Sequence, residues 1–393
     1  MAMTALVLGG YGTTGRILSE LLLEWSDAVV VLAGRDLGKA ERAAGQLAVR
    51  YPGRVSARVA DASDAASLDE AFVGVEFVAV AASVLACADV VIEAALHAGI
   101  DYFDLLLPGA IKHAALERLR PRIETEGRCF ITDGGIHPGL SAPVIRALAP
   151  AFERLERADV GALLRADWNA YQFSVSTIHE FVDELMEYRM EALRGGVWTK
   201  LAWKDATRTF DFGPPFGRER CAVMAMEELR RLPACFPSLR DCSFYVSGFN
   251  PVVDTVIMPL GFAALKVAPN VVGRPYARLL TWALRTFGRP PYGTIWQVEA
   301  EGKAAGGSAT AGRWTRAGLR LSHADGYWLT AATAAACLMQ YLDGSLRIPG
   351  VHLQALAVEP SRLLRDLQRM GVRLESFGAD MGTILDGAAG RTP

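Results

Sequence analysis

Near the N-terminus, three glycines spaced three residues apart stand where an apolar segment turns into a helical pattern. The apolar run ends at Leu8, and Ile17 and Leu18 begin one face of a helix. The first glycine permits a tight turn, the second lets the backbone approach a pyrophosphate, and the third lets the helix pack close to the strand. N–H groups at the helix start then point toward an anion. The pattern predicts a dinucleotide-binding loop at Gly9, Gly10, Tyr11, Gly12, Thr13, Thr14 and Gly15.

Five further apolar segments follow this loop, with helical patterns between most of them. They are Ala28–Gly34, Val55–Asp61, Phe77–Ser83, Tyr102–Leu105 and Cys129–Thr132. Continuous apolar runs are typical of parallel strands that are covered on both faces. Six strands with right-handed helical crossovers predict an α/β fold, a doubly wound Rossmann sheet, over residues 1–148.

The end of the second strand distinguishes between the two nicotinamide dinucleotides. There an acidic side chain accepts a hydrogen bond from a ribose hydroxyl, whereas a basic one pairs with a 2′-phosphate. Arg35 stands at that tip and favours NADP(H). Asp36 directly after it keeps NAD(H) open, because its carboxylate either turns toward the ribose or caps the following helix.

Other strand ends contribute further candidates for cofactor contacts. Asp61 and Ala62 follow the third strand, where they line the adenine edge, cap the next helix, or do both. Ala82 and Ser83 at the fourth strand are small enough for a cofactor to lie across them. Gly135 lies in the turn after the sixth strand, near the expected position of the nicotinamide.

That turn, from Asp133 to Ser141, has two adjacent glycines followed by a Pro-Gly pair. Exposed backbone at the carboxyl end of a central strand lies where α/β sheets bind ligands. His137 within it is a candidate catalytic residue, since histidine exchanges protons near neutral pH. The alternative is that His137 only contacts the cofactor or caps the next helix.

Five motifs in order give the chain a resemblance to the saccharopine dehydrogenase-like family: GGYGTTG, AGRD, VADASD, GIDYFDL and GIHPGLS. The resemblance implies an NAD(P)-dependent oxidoreductase acting at a C–N bond. It also implies a catalytic role for Asp104 at the fifth strand tip. The apolar residues Leu105 to Pro108 depart from the polar segment of the relatives, which argues against a charged amino acid as substrate.

Residues 149–325 differ in character, with six tryptophans and short alternating runs that suggest antiparallel strands. The resemblance implies an α+β substrate domain that also forms a homodimer. Asn169, Tyr171 and Ser174 are candidate substrate contacts, or alternatively a loop before a helix predicted over Ser176–Arg194. Residues 326–393 are expected to form a helical segment that packs back on the Rossmann domain.

Composition narrows the possible partners and the cellular setting. The 393 residues include 41 basic and 43 acidic side chains, so the net charge of −2 does not favour nucleic acid. Six scattered cysteines predict reduced thiols, no metal site and a cytoplasmic protein, and the glycine loop begins too early to leave room for an export signal. Val256–Val272 is interpreted as a buried strand and loop, with a peripheral membrane contact as the alternative.

Three functions remain in competition. The first is hydride transfer at an imine or secondary amine, which follows from the resemblance alone. The second is NADPH-dependent reduction of a carbonyl or activated double bond on a larger apolar substrate, favoured by the tryptophans and the apolar 105–108 turn. The third is a non-catalytic nucleotide-binding sensor or scaffold, because a fold does not prove turnover.

Overall fold

The computed structural model describes residues 2–170, 188–305 and 312–386, and the chain divides into two compact units. The first unit comprises Met1–Leu140 and Tyr327–Glu359, and the second comprises Ser141–Gly326 and Pro360–Pro393. Within the described residues the strands, in chain order, are β1 Thr4–Leu8, β2 Val29–Gly34, β3 Val55–Val59, β4 Phe77–Val80, β5 Asp101–Asp104, β6 Cys129–Thr132, β7 Phe152–Arg165, β8 Glu191–Arg194, β9 Val197–Lys200, β10 Thr207–Asp211, β11 Arg218–Met224, β12 Asp241–Ser247, β13 Gly293–Ala304, β14 Trp314–His323, β15 Gly350–Leu353 and β16 Arg373–Phe377.

Helices connect these strands. The first six are α1 Thr13–Trp25, α2 Leu37–Ala48, α3 Ala65–Ala71, α4 Ala88–His97, α5 Ala110–Thr125 and α6 Ser141–Leu148. Later in the described chain lie Glu227–Arg230, Leu232–Cys235, a π-helical turn at Val253–Ile257, Met258–Val267, Pro269–Phe287, Gly326–Leu342, Gln354–Ala357, Pro360–Arg369 and Met381–Asp386.

The first unit is built on a parallel sheet with the strand order β15-β6-β5-β4-β1-β2-β3. The order of the strands reverses between β1 and β4, and doubly wound sheets bind ligands at such a switch point. The predicted α/β Rossmann fold is confirmed. The buried residues of β1, β2 and β4 explain the continuous apolar runs, because helices cover both faces of the sheet.

A mixed sheet forms the second unit. Its main path runs β10-β11-β12-β7-β13-β14-β16, with β8 and β9 attached through β12. Strands β7 and β13 pair over more than ten residues and form its spine. Helix α6 packs on this sheet, and the buried Trp296 of β13 donates from Nε1 to the Ser141 hydroxyl at 3.0 Å.

Three expectations from the sequence are corrected here. Residues 360–386 belong to the second unit rather than to the Rossmann unit, because β16 pairs antiparallel with β14. The helix predicted over Ser176–Arg194 does not reach its end, since Glu191–Arg194 is strand β8; residues 171–187 lie outside the described part. Val256–Val272 is helical rather than a strand and loop, with Pro259 and Pro269 each in the first turn of a helix.

Candidate functional site

The glycine loop has the geometry that pyrophosphate binding requires. Gly9 has a φ of +85°, and its N–H donates to the Ala33 carbonyl at 2.8 Å. A Cβ at Gly15 would lie 2.2 Å from the Gly9 carbonyl oxygen, so only glycine lets α1 approach the loop this closely. The N–H groups of the first turn of α1, at Thr13, Thr14 and Gly15, have no acceptor within the helix. They therefore form a donor set that suits a pyrophosphate.

Tyr11 links the glycine loop to the end of β2. A Cβ at Gly34 would lie 2.6 Å from Cε1 of Tyr11, so the ring rests directly on the glycine backbone. The Tyr11 hydroxyl accepts a hydrogen bond from the Asp36 N–H at 3.3 Å. The ring thereby fixes the loop against the strand end where an adenosine ribose would bind.

The carboxylate of Asp36 bonds with Lys39 in the first turn of the helix that follows it. It accepts a hydrogen bond from the Lys39 N–H at 3.0 Å and forms an ion pair with the Lys39 ammonium at 3.3 Å. These bonds with Lys39 lower the pKa of Asp36. Asp36 is therefore the N-cap of α2, as one of the two sequence interpretations held, and it leaves the exposed Arg35 as the group available to a 2′-phosphate.

Asp61 and Ala62 lie at the end of β3. The Asp61 carboxylate accepts from the Ser63 N–H at 3.0 Å and the Ser63 hydroxyl at 2.7 Å. These bonds lower the pKa of Asp61, and the charge of Arg35 lowers it further, which places the two side chains in the same electrostatic environment. Within residues 61–64 the cap of α3 is Asp64 rather than Asp61, so the segment does cap the helix, and the position of Asp61 beside the adenine edge stays a prediction.

Small residues at the end of β4 border the glycine loop. A Cβ on Gly9 would lie 2.8 Å from the Cβ of Ala82, which leaves no space for a side chain at position 9. Ala82 and Ser83 are both half-buried. The backbone after β4 thus lies close beside the loop, as a site for a dinucleotide across the sheet requires.

A buried lysine lies beneath the ends of β5 and β6. The Lys112 ammonium donates to Asp133 at 2.7 Å, to Asp104 at 3.0 Å and to the Leu106 carbonyl at 2.9 Å. The Asp104 carboxylate also accepts from the Thr132 hydroxyl at 2.6 Å. Lys112 and Asp104 are fully buried, so Asp104 joins two strand ends and has no surface with which to touch a substrate.

The charges within this cluster stabilise one another. Burial opposes the charged form of Lys112, but Asp104 and Asp133 raise its pKa. Burial likewise acts to raise the pKa of Asp133, but His113 and Lys112 outweigh it, and the pKa is lowered. The lysine is therefore a cation held between carboxylates, and the cluster positions the following turn.

Gln354 holds that turn from the other side. Its Nε2 donates to the carbonyls of Gly135 at 3.0 Å and Gly139 at 3.2 Å, and its Oε1 accepts from the Gly135 N–H at 3.2 Å. Gly135 and Gly139 have φ values of +98° and +123°. A Cβ on Gly139 would lie 2.5 Å from Nε2 of Gln354, so the glycine allows this contact. The turn at the carboxyl end of β6 is held rigidly on both sides.

His137 lies half-buried inside this turn, at a cis peptide bond with Pro138. Its backbone neighbours on both sides are fixed by Gln354, so the imidazole is presented from a defined backbone. Tyr102, which the sequence interpretation treats as packing, is buried and stacks on Phe130 with ring centroids 5.4 Å apart. Burial raises the pKa of Tyr102 well above its usual value, which removes it as an acid or base.

Sequence reasoning missed Lys112 and Gln354. Lys112 shares one helical stripe with the buried Ala115 and Leu116, at spacings of three and four, while Ile111 faces outward. A lysine on the apolar stripe of a helix is the pattern that could have identified it. Gln354 follows the unpredicted strand β15, and no local pattern links it to residues more than two hundred positions earlier.

The predicted substrate contacts are only partly within the described residues. Asn169 is exposed, and its Nδ2 donates to the Arg285 carbonyl at 3.2 Å in the second unit. Tyr171 and Ser174 lie outside the described residues. The tryptophans differ in their environments and do not line a single pocket. Trp296 is buried in the sheet, whereas Trp203, Trp282 and Trp314 are exposed.

The first unit matches a known family over most of its length. Residues 5–128 match the family model described as the saccharopine dehydrogenase NADP binding domain. This part of the chain is therefore similar to the NADP-binding domain of saccharopine dehydrogenases. The match supports NADP as the cofactor and, with it, an NAD(P)-dependent oxidoreductase.

A solved structure shares the fold of this chain. Apo saccharopine dehydrogenase (L-Glu forming) from Saccharomyces cerevisiae aligns with a TM-score of 0.69 at 14% identity, over 96% of this chain and 100% of that one. A short-chain dehydrogenase/reductase from Veillonella parvula in complex with NADP aligns at 22% identity, over 26% of this chain and 47% of that one, with a TM-score of only 0.23. No curated protein matches the sequence significantly.

The described residues lack two further features. No helix there has the length and apolar character needed to cross a membrane. In the same part of the chain, no three His, Cys, Asp or Glu side chains are grouped so that they could hold a metal ion.

Proposed function

We propose that this chain transfers hydride between NADP(H) and a carbon–nitrogen bond, reducing an imine or oxidising a secondary amine. The observation that supports this most is the rigid His137 turn at the carboxyl end of β6, in the same unit as a loop shaped for the dinucleotide. NADPH, when bound, supplies the hydride. The reduction adds this hydride to the imine carbon and one proton to the nitrogen, giving the amine and NADP⁺.

In this proposal the chain's own residues bind the cofactor, hold the site in position and donate the proton. The α1 N-terminus and Arg35 bind the phosphates, and Tyr11 fixes the loop. His137 donates the proton to nitrogen, because histidine is the side chain best suited to proton exchange near neutral pH. Asp104 acts through Lys112 and Thr132 as a positioning residue rather than as an acid.

A second candidate is reduction of a carbonyl or an activated double bond on a larger apolar substrate. The observation that favours it is the turn after β5, where Leu105 and Leu107 are half-buried. Cδ2 of Leu105 would lie 3.7 Å from a Cβ on Gly135, so an apolar side chain borders the His137 turn. A charged amino acid would gain nothing from this neighbour.

Asn169, Tyr171 and Ser174 remain our proposed substrate contacts, supported by their polar character. A homodimer in the cytoplasm likewise remains a proposal. It rests on the resemblance and on the six cysteines, none of which forms a disulfide.

The test is a product analysis with NADPH deuterated at the transferring position. Cyclic imines, ketones and enones are offered separately, and the location of deuterium in the product is read by mass spectrometry. Deuterium on the carbon of a new amine supports the proposal, and deuterium from enones or ketones alone replaces it with the second candidate. Binding of NADPH without transfer to any acceptor would make the chain a sensor.

His137→Gln provides the residue-level part of this test. We expect turnover to fall by about 10²-fold or more while NADPH affinity is unchanged. His97→Gln, at an exposed position on α4, is the matched control and should keep full turnover. Equal activity in both variants would remove His137 from the mechanism.

A further inference from the structure

One segment of the second unit is folded within itself yet leaves many apolar side chains in solvent. It comprises the π-helical turn Val253–Ile257 and the helices Met258–Val267 and Pro269–Phe287, and is called the basic hairpin below. Its inner side chains form a buried cluster that includes Ile257, Leu265, Tyr276, Leu280 and Leu284. The hairpin core is therefore complete without the residues on its outer face.

The outer face of the first helix and of the turn before it is apolar. Leu260 is 66% exposed and Val267 at the bend is 85% exposed. The other exposed positions follow the same helical spacing and include no charged residue: Val252, Thr255, Val256, Pro259 and Ala263. A solvent-facing helical stripe of this kind is the mark of a surface that something else covers.

The outer face of the second helix combines apolar and basic side chains. Val271 is 75% exposed and Trp282 is 54% exposed, and Leu279 lies near them. Arg274, Arg278 and Arg285 are exposed at spacings of four and seven residues, which places them on one side of the helix. Arginines beside exposed tryptophan and valine form the pattern of a helix that lies in a lipid interface.

The charged residues of this region are mostly basic. From Val253 to Val298 the one acidic residue in the sequence is Asp254, which is half-buried and accepts a hydrogen bond from the Phe249 N–H at 2.8 Å. The same stretch has five cations, at Lys266, Arg274, Arg278, Arg285 and Arg289. The whole chain has a net charge of −2. The positive charge is thus concentrated where the apolar side chains are exposed.

We infer that the basic hairpin docks the protein on the surface of a bilayer that contains acidic lipids. The valines and leucines enter the boundary of the acyl chains, Trp282 lies at the level of the headgroups, and the arginines pair with lipid phosphates. The attachment is peripheral, since the hairpin helices, like every other described helix, are too short or too polar to span the bilayer.

A second copy of the chain fits this surface less well. A symmetric dimer brings the same patch of both subunits together, so the arginines of one hairpin would face those of the other. Like charges facing each other oppose such a contact, whereas acidic lipid headgroups are complementary to it. The inference is independent of the reaction proposed above, because it uses only residues of the hairpin.

Vesicle co-sedimentation of the full chain tests this inference. One set of vesicles contains phosphatidylcholine alone, and the other contains added phosphatidylglycerol. Three double variants are compared with the wild type: Arg274→Gln with Arg278→Gln, Val267→Ser with Val271→Ser, and, as the control, Trp203→Ser with Trp314→Ser, an exposed pair that is not part of the hairpin. Light scattering reports the oligomeric state of each, and circular dichroism confirms that each is folded.

We expect the wild type to bind the acidic vesicles at least about tenfold more strongly than the neutral ones, and added salt to weaken that binding. Both hairpin variants should bind about tenfold or more weakly, while the control pair binds as the wild type does. Failure of the wild type to bind acidic vesicles overturns the inference, as does equal binding by the hairpin variants. The inference is also overturned if the wild type is a dimer that does not bind vesicles and the hairpin variants are monomers. That result would assign the surface to a second copy of the chain.

Discussion

The Lys112 ammonium lies 2.7 Å from the Asp133 carboxylate, although the two residues are 21 positions apart and both are buried. Asp133 has a φ of +57° at the start of the His137 turn. The ion pair thus fixes an unusual backbone conformation at the point where the turn leaves β6.

Removing the lysine should be strongly destabilising. Lys112→Met leaves the buried Asp104 carboxylate without a cationic partner and leaves Asp133 with only His113, so we expect a loss of about 3–5 kcal/mol in the free energy of unfolding. Urea denaturation measures it. Adding Asp133→Asn to Lys112→Met should restore part of that loss, because one buried negative charge is removed. A loss below about 1 kcal/mol in the single variant would show that the cluster is not held by charge.

The role of Gln354 can be separated from that of an ordinary buried glutamine. Gln354→Ala frees the carbonyls of Gly135 and Gly139, so their turn should exchange its amide hydrogens faster. The expected loss of stability is about 1–3 kcal/mol. Hydrogen exchange read by mass spectrometry on the peptide that covers residues 133–141 detects the effect.

Gln340→Ala is the matched control for that experiment. Gln340 is also buried and bonds the backbone of Glu359 through both ends of its amide. Its replacement should cost similar stability but leave exchange in residues 133–141 unchanged. If both variants accelerate exchange in that peptide equally, Gln354 has no special hold on the turn.

Asp254 makes stability depend on pH. Burial raises its pKa to about 6 from 3.8, even though the N–H groups of Phe249 and Asn250 lower it. Between these values the folded chain holds a proton that the unfolded chain has lost, so this contribution is fully present below about pH 4 and is lost as the pH rises through about 6.

Asp254→Asn should remove this dependence. Relative to the variant, we expect the wild type to lose about 1–2 kcal/mol in the free energy of unfolding between about pH 4 and pH 7, after allowance for partial exposure of the carboxyl. Urea melts of both proteins across that range give the difference directly. A constant difference at every pH would contradict the raised pKa.

Local sequence was sufficient for the parts of the site that depend on local geometry. The glycines of the loop are spaced by the needs of one turn and one helix start, and Arg35 directly follows a strand with an unbroken apolar run. The cap made by Asp36 was one of two open interpretations, because its side chain can reach either the ribose or the Lys39 N–H. A single sequence cannot rank two bonds of similar strength.

Long-range contacts explain what the sequence did not predict. Strand β15 has only four residues and gains its partner from β6, more than two hundred positions away. In strand β16 the apolar and polar residues alternate only weakly, and the helical pattern just before it hides the strand in the sequence. The β-branched residues of the basic hairpin resemble a strand, which explains the wrong prediction there. The prolines at its helix starts and the spacing of its exposed residues are instead typical of helices.

The most direct test of the account is calorimetric titration of the wild type and of Arg35→Ala with NADPH and with NADH. We predict that the wild type binds NADPH at least about tenfold more tightly, and that Arg35→Ala weakens NADPH by about 10- to 100-fold while NADH changes little, because a charged bond to the 2′-phosphate is lost. Arg118→Ala, which breaks an exposed ion pair with Glu93, is the control and should change neither affinity. Equal weakening of both cofactors in Arg35→Ala, or tighter binding of NADH by the wild type, would contradict the assignment of Arg35 and of the dinucleotide site built around the glycine loop.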